Sequence, residues 1–209
     1  ESLTYSIASL YNAHGCVLAP SGMAAITTGL MSILKANDHI LIPDSVYGST
    51  RRFVKEEFPR LNIGYEFYNS RDLEHLKSLI KDNTSAIYLE SPGTYTFEII
   101  DIIKVINICK KYNLKSIIDN TWATALYFNP LEFGVDIVIE AITKYISGHS
   151  DIMMGAVVGN DVNLIALERW TKNSGTYVSP DDIYLSLRGL RTLPLRLKQS
   201  SDNSIAIAE

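Results

Sequence analysis

Seven short apolar runs, separated by longer stretches with helical spacing, constrain this chain more than any other feature. They cover residues 16–19, 39–42, 63–67, 85–89, 116–118, 137–139 and 156–158. The runs are apolar throughout instead of alternating, as strands covered on both faces are. Strand and helix patterns that alternate in this way predict an α/β fold with a mainly parallel sheet. Ligands of such sheets gather at the carboxyl ends of the strands. Four segments fall there: Pro20-Ser21-Gly22-Met23, Ser45-Val46-Tyr47-Gly48, Asp119-Asn120-Thr121 and Thr143-Lys144.

The intervening stretches read as helices. One opens at Ser21-Gly22-Met23 and runs to about Lys35. In residues 70–80 apolar side chains recur at 73, 76, 79 and 80, with Ser70 as the expected N-cap and Asp72 and Glu74 favourable in the first turn. Residues 99–112 are apolar around most of the circumference, which predicts a helix largely buried against the sheet. Residues 181–198 and 205–208 also read as helix. Between them Ser200-Ser201-Asp202-Asn203-Ser204 is either a linker or the middle of one long helix.

Composition removes several classes of function. A chain of 209 residues, 46% apolar and 20% charged, is ordinary for a globular protein. A net charge of −4 argues against nonspecific binding to nucleic acid or to a membrane surface. No apolar stretch approaches the roughly 18 residues of a membrane span, and no signal peptide is evident. The two cysteines, Cys16 and Cys109, form neither a CxxC pair nor a zinc spacing. That suits a reducing compartment, and the expected location is the cytoplasm.

The strand that ends in Asp119 and the run followed by Lys144 carry the chemistry. A carboxylate can keep a pyridine nitrogen protonated, and an amine can bond an aldehyde as a Schiff base. Such a lysine must spend part of its time neutral, and burial or nearby positive charge is expected to favour that. Ser21-Gly22-Met23 offers free N–H groups and a helix dipole to a phosphate, or is an ordinary N-cap and tight turn. Asp119 could equally cap the segment after it. Tyr47 could stack on an aromatic ring or serve as packing, since the chain has 12 tyrosines. His149 lies in Gly148-His149-Ser150-Asp151, but without a GxSxG elbow it reads as a structural histidine near the site.

Six segments taken together carry a resemblance. They are Pro20-Ser21-Gly22-Met23-Ala24-Ala25-Ile26, Glu90-Ser91-Pro92-Gly93, Asp119-Asn120-Thr121-Trp122, Ala141-Ile142-Thr143-Lys144-Tyr145, Gly148-His149-Ser150-Asp151 and Leu187-Arg188-Gly189-Leu190-Arg191-Thr192-Leu193. In order and rough spacing the chain resembles the Cys/Met-metabolism family of pyridoxal-phosphate enzymes, and within it most resembles the bacterial cystathionine β-lyase branch. The resemblance implies the three-layer large domain of the aspartate-aminotransferase fold type I, with a mainly parallel mixed sheet. It implies pyridoxal 5'-phosphate as cofactor, with Lys144 as the Schiff-base lysine and Asp119 as the partner of the ring nitrogen. Ser21, Gly22, Met23, Thr121 and Thr143 are implied around the cofactor and its phosphate. Tyr47 is implied to stack on the ring and to help deprotonate the incoming amine.

The implied reaction is β-elimination from cystathionine, giving homocysteine, pyruvate and ammonia. γ-Elimination or γ-replacement, or an inactive remnant, are the alternatives. Ala141 departs from the family, where many members have a phosphate-binding serine. The family's Tyr-x-Arg segment has no match here, and its C-terminal domain would follow residue 209. Residues 1–209 therefore look like the cofactor-binding large domain alone, expected by itself to bind cofactor weakly and to turn over feebly or not at all. Family active sites lie between subunits, which implies a homodimer or homotetramer if the missing segments are supplied.

Overall fold

The structure, a computed structural model, describes residues 2–209. All seven predicted strands are present: β1 (Cys16–Ala19), β2 (His39–Pro43), β3 (Gly64–Tyr68), β4 (Thr84–Glu90), β5 (Lys115–Asp119), β6 (Ile137–Glu140) and β7 (Gly155–Gly159). They form one sheet in the order β1-β7-β6-β5-β4-β2-β3. The pairs among β2 to β6 are parallel. β7 runs antiparallel to both β6 and β1, so the sheet is mixed but mainly parallel.

Nine α-helices lie among the described residues: α1 (Ser2–Leu10), α2 (Gly22–Ile33), α3 (Gly48–Glu57), α4 (Leu73–Ser78), α5 (Ile102–Tyr112), α6 (Thr124–Tyr127), α7 (Asp161–Ser174), α8 (Pro180–Leu190) and α9 (Leu193–Ala208). They cover the sheet on both faces. Strand side chains alternate between two cores, with Ile40, Ile42, Tyr88, Ile117 and Ile139 on one side and Leu41, Leu89, Ile118 and Val138 on the other. α2, α3 and α7 close the first core through Ile26, Val54 and Leu167. α1, α5 and α9 close the second through Ile7, Val105 and Leu197. Two-sided burial is why the runs read as apolar without alternation. β3, at the sheet edge, is the exception and is mostly half-buried.

Three local expectations are corrected. Asp72, not Ser70, caps α4, because its carboxylate accepts both the Glu74 and His75 N–H groups at 3.0 Å. Ser70 is instead buried between loops, bonded to Ser45 and Glu98. α5 begins at Ile102 behind an Asp101 cap, and it is amphipathic, since Ile103, Asn107 and Lys110 are exposed while Val105, Ile106 and Cys109 are buried. The stretch expected as a single helix over 181–198 divides at Arg191-Thr192 into α8 and α9, and the serine-rich residues 200–204 take the helical of their two readings, within α9.

No described helix is long and apolar enough to cross a membrane. Cys16 and Cys109 are free and buried, and burial pushes both thiols up to about 12.

Strand order reverses where β4 returns to lie beside β2. Such a reversal opens a crevice between the loops that leave the two strands. β1 and β6 run in the same direction as β5, so Pro20, Ser45, Ser91, Asn120 and Ala141 all leave the sheet along one edge.

Candidate active site

Along that edge stand the residues singled out from the sequence. Ser21 is the N-cap of α2, and its hydroxyl accepts the Ala24 N–H at 3.0 Å. The Gly22 and Met23 N–H groups lie in the first turn, where no helix carbonyl can reach them. Gly22 lies so close to the segment after β6 that a Cβ there would be 2.9 Å from Ala141 Cβ. The α2 N-terminus thus lies against Ala141, where the segment that carries Lys144 leaves β6.

Asp119 ends β5 on the face that carries α2 and α3. Thr121 N–H donates to its Oδ1 at 3.0 Å. Burial pushes the carboxyl up, while Thr121 and the charge of Lys144 pull it back. Lys144 is exposed, contrary to the expected burial, and the charge it faces is the Asp119 carboxylate. The Thr121 hydroxyl accepts the Ala141 N–H at 2.8 Å, tying the loops after β5 and β6. The Thr143 hydroxyl donates to Met154 O at 3.1 Å and accepts Met154 N–H at 3.0 Å. Its proton is committed, so it acts here as a clip onto the start of β7. Tyr47 is 44% exposed at the start of α3, open to a ligand over the edge. His149 is exposed, and its Nδ1 lies 2.6 Å from Ser147 O, in keeping with a structural role.

Two acids were not foreseen as site residues. Glu90 ends β4 directly beside Asp119 in the parallel register. It accepts the Tyr47 N–H at 2.9 Å and the Thr94 hydroxyl. Burial and the neighbouring Asp119 push it up to about 7. Glu140 ends β6 on the opposite face, bonded to the Tyr11 hydroxyl, and burial pushes it up to about 8. A glutamate closing an apolar strand was the available signal in both cases.

The donor set fits a pyridine cofactor with an aldehyde and a phosphate. Two carboxyls side by side cannot both ionise cheaply, and a protonated ring nitrogen is the cation that relieves them. Lys144 supplies the amine, and the first turn of α2 supplies N–H groups for the phosphate. Arg188 and Arg196, which follow these segments in the chain, are engaged elsewhere, with Asp151 and with backbone carbonyls.

The comparisons agree with this chemistry. The family model for Cys/Met metabolism PLP-dependent enzymes matches residues 1–209. The chain belongs to that family. It is 40% identical, over its whole length, to a putative cystathionine beta-lyase of Rhizobium johnstonii, of which it covers 53%. It is 36% identical to an L-alanine/L-glutamate racemase of Wolbachia pipientis, over 99% of this chain and 51% of that protein. Among solved structures, a cystathionine gamma-lyase from Lactobacillus plantarum superposes with a TM-score of 0.89 at 34% identity. That match covers 92% of this chain and 51% of the other. The fold is therefore that of the PLP-dependent lyases, and the family's cofactor is pyridoxal 5'-phosphate. This chain spans about half the length of the curated relatives it matches.

Proposed function

We propose that these residues form the cofactor-binding large domain of a carbon–sulfur β-lyase acting on cystathionine. The observation that carries the reading is the register: Asp119 ends β5 and Lys144 follows β6, adjacent parallel strands that leave the sheet at one edge, beside the open first turn of α2. The relative named as a β-lyase supports β-elimination. Relatives named as a γ-lyase and a racemase support the same proton abstraction at Cα with a different outcome.

Ser21, Gly22, Met23 and Thr121 would surround the cofactor's phosphate end, and Lys144 Nζ its aldehyde. When bound, pyridoxal 5'-phosphate supplies the electron sink for the pair left behind by the Cα proton. Asp119 keeps a proton on the ring nitrogen by charge. Tyr47, exposed at the same edge, would stack on the ring and would take a proton from the incoming amine. Lys144 removes the Cα proton as a general base and returns a proton to the departing thiolate. Water completes the balance, and cystathionine gives homocysteine, pyruvate and ammonia. A second copy of the chain completes the site in a homodimer or homotetramer, and the setting is cytoplasmic.

Borohydride reduction of the cofactor-loaded protein, followed by peptide mapping, is expected to place the label on Lys144. A label on Lys35 or Lys172 would overturn the assignment. Incubation of the enzyme, completed by the segments its relatives carry, with cystathionine is expected to release pyruvate, whereas 2-oxobutyrate would move the protein to the γ-acting branch.

A further inference from the structure

The segment that carries Lys144 has no strand or helix of its own. Residues 141–148 form a run of turns held by Lys144 N–H to Ala141 O at 3.0 Å, Ser147 N–H to Ile142 O at 2.9 Å and Gly148 N–H to Lys144 O at 2.9 Å. Besides His149 on Ser147 O, a side chain distant in sequence reaches the carbonyls that follow Lys144. Arg196, in the first turn of α9, donates from Nη1 to Tyr145 O at 2.6 Å and from Nη2 to Ile146 O at 3.2 Å. The same Nη2 reaches Gly189 O, at the end of α8, at 2.8 Å, and Nε reaches Thr192 Oγ1 at 3.0 Å. One planar guanidinium therefore joins the lysine turn to two helices.

The backbone around it is shaped for this contact. Gly148 has φ +68°, and a Cβ there would lie 2.0 Å from Arg196 Nη1. A Cβ on Gly189 would lie 2.1 Å from Ser147 O. Gly189 excludes a side chain because backbone carbonyls of the turn abut it, and a side chain on Gly148, besides its left-handed φ, would push the Arg196 guanidinium off the turn. Peptide carbonyls in a turn have no ladder to hold them, and a rigid fork of donors fixes several at once, where an ammonium is a single point charge.

We propose that Arg196 is the positioning residue for Lys144, fixing the turn so that the amine is held toward Asp119. This rests on the reading of Lys144 as the cofactor-bearing amine. It makes α8 and α9, which contribute no group to the chemistry, part of the machinery that aims it.

The test uses the intact protein with Arg196→Met, Arg196→Lys and, as a control, Leu197→Ala. Leu197 is buried on the same helix and belongs to the core. Two readouts are taken: labelling of Lys144 by acetic anhydride without cofactor, and borohydride trapping of pyridoxal 5'-phosphate at Lys144. Hydrogen exchange at the Ser147 and Gly148 amides reports on the turn itself. Arg196→Met is expected to lower trapping at least tenfold, to alter acetic anhydride labelling of Lys144 and to speed exchange at both amides. Arg196→Lys recovers part of each. Leu197→Ala lowers the melting temperature and leaves the trapped fraction and the exchange as in the wild type. Wild-type trapping and exchange in both Arg196 variants would overturn the proposal alone. A wild-type protein with no label at Lys144 would overturn the reading of the lysine, and this proposal with it.

Discussion

Glu90 and Glu140 close two strands of the same sheet, both buried and both pushed far above the usual carboxylate range, yet they do different things. Glu140 is 1% exposed, and its partner is a side chain of the core. Tyr11 donates to it, Asn120 donates to the Tyr11 hydroxyl at 3.0 Å and to Phe128 O at 2.9 Å, and Asn129 donates to Tyr11 O at 3.0 Å. That network pins the end of α1 to the ends of β5 and β6. Glu90 faces the other way, toward Asp119, and its partners belong to loops, the Tyr47 N–H and the Thr94 hydroxyl. Those loops are also tied to each other by Thr94 N–H to Ser45 O at 2.9 Å. A displaced titration marks burial, and only the neighbours show whether it also marks a site.

The largest expected effect separates the two faces outright. Asp119→Asn should lower kcat/KM of the enzyme on the order of 10²–10³-fold, roughly 3–4 kcal/mol, as loss of a key electrostatic partner does. Its melting temperature should hold or rise, because the change removes a like charge beside Glu90. Glu140→Gln should change kcat/KM by no more than a few-fold. Steady-state kinetics and thermal melts on both variants read this directly, and equal losses of activity would break the distinction.

Stability against pH should show the reverse. Glu140 binds its proton more tightly folded, at about 8, than in a free chain, at 4.5. The folded state therefore holds the extra proton between those values, and its contribution is full below pH 4.5 and falls away as pH rises through about 8. At ~1.4 kcal/mol per unit, the loss from this carboxyl between pH 5 and pH 7 is about 2–3 kcal/mol. Glu140→Gln keeps the neutral form and should flatten that part of the slope in urea denaturation at pH 5, 6 and 7. An unchanged slope would show that Glu140 titrates normally in the fold.

This contrast also explains what could be read from the chain. Six of the seven strands were legible because both of their faces are buried, which leaves an uninterrupted apolar run; β3, half-buried at the edge, was legible from its aromatic residues. The edge positions of Ser21, Tyr47, Asp119 and Lys144 followed from parallel strands that leave the sheet on one side. Helix starts were read less well, since two acidic or hydroxyl residues within three positions, Ser70 and Asp72, compete to cap α4 and only backbone geometry decides. The burial expected of Lys144 failed because the turn carries it over the rim and not into the core. Glu140 with Tyr11 and Arg196 with Tyr145 are pairings 129 and 51 residues apart. Neither has a local periodicity, so neither could be read before the strands and helices were placed.

The smallest effect is the sharpest test of the comparison. Glu90 titrates at about 7 beside Asp119, so the two share their protonation as a pair. Above that pH the second carboxylate ionises and changes the charge next to Asp119. Glu90→Gln removes this titration, while its amide oxygen still accepts the Tyr47 N–H and the Thr94 hydroxyl can turn to accept the new amide. The kcat/KM profile of the wild type should carry a step near pH 7 that the variant lacks, with less than a tenfold difference on either side, about 1 kcal/mol. The stability slope should flatten as well, in the same direction as for Glu140→Gln and by less, because the displacement from 4.5 is smaller. The pair of variants then divides cleanly: Glu140→Gln moves stability alone, and Glu90→Gln moves stability and the activity profile together. If Glu90→Gln left the profile near pH 7 unchanged, Glu90 would belong with Glu140 as a packing residue, and Asp119 would be the one carboxyl of the pair that acts.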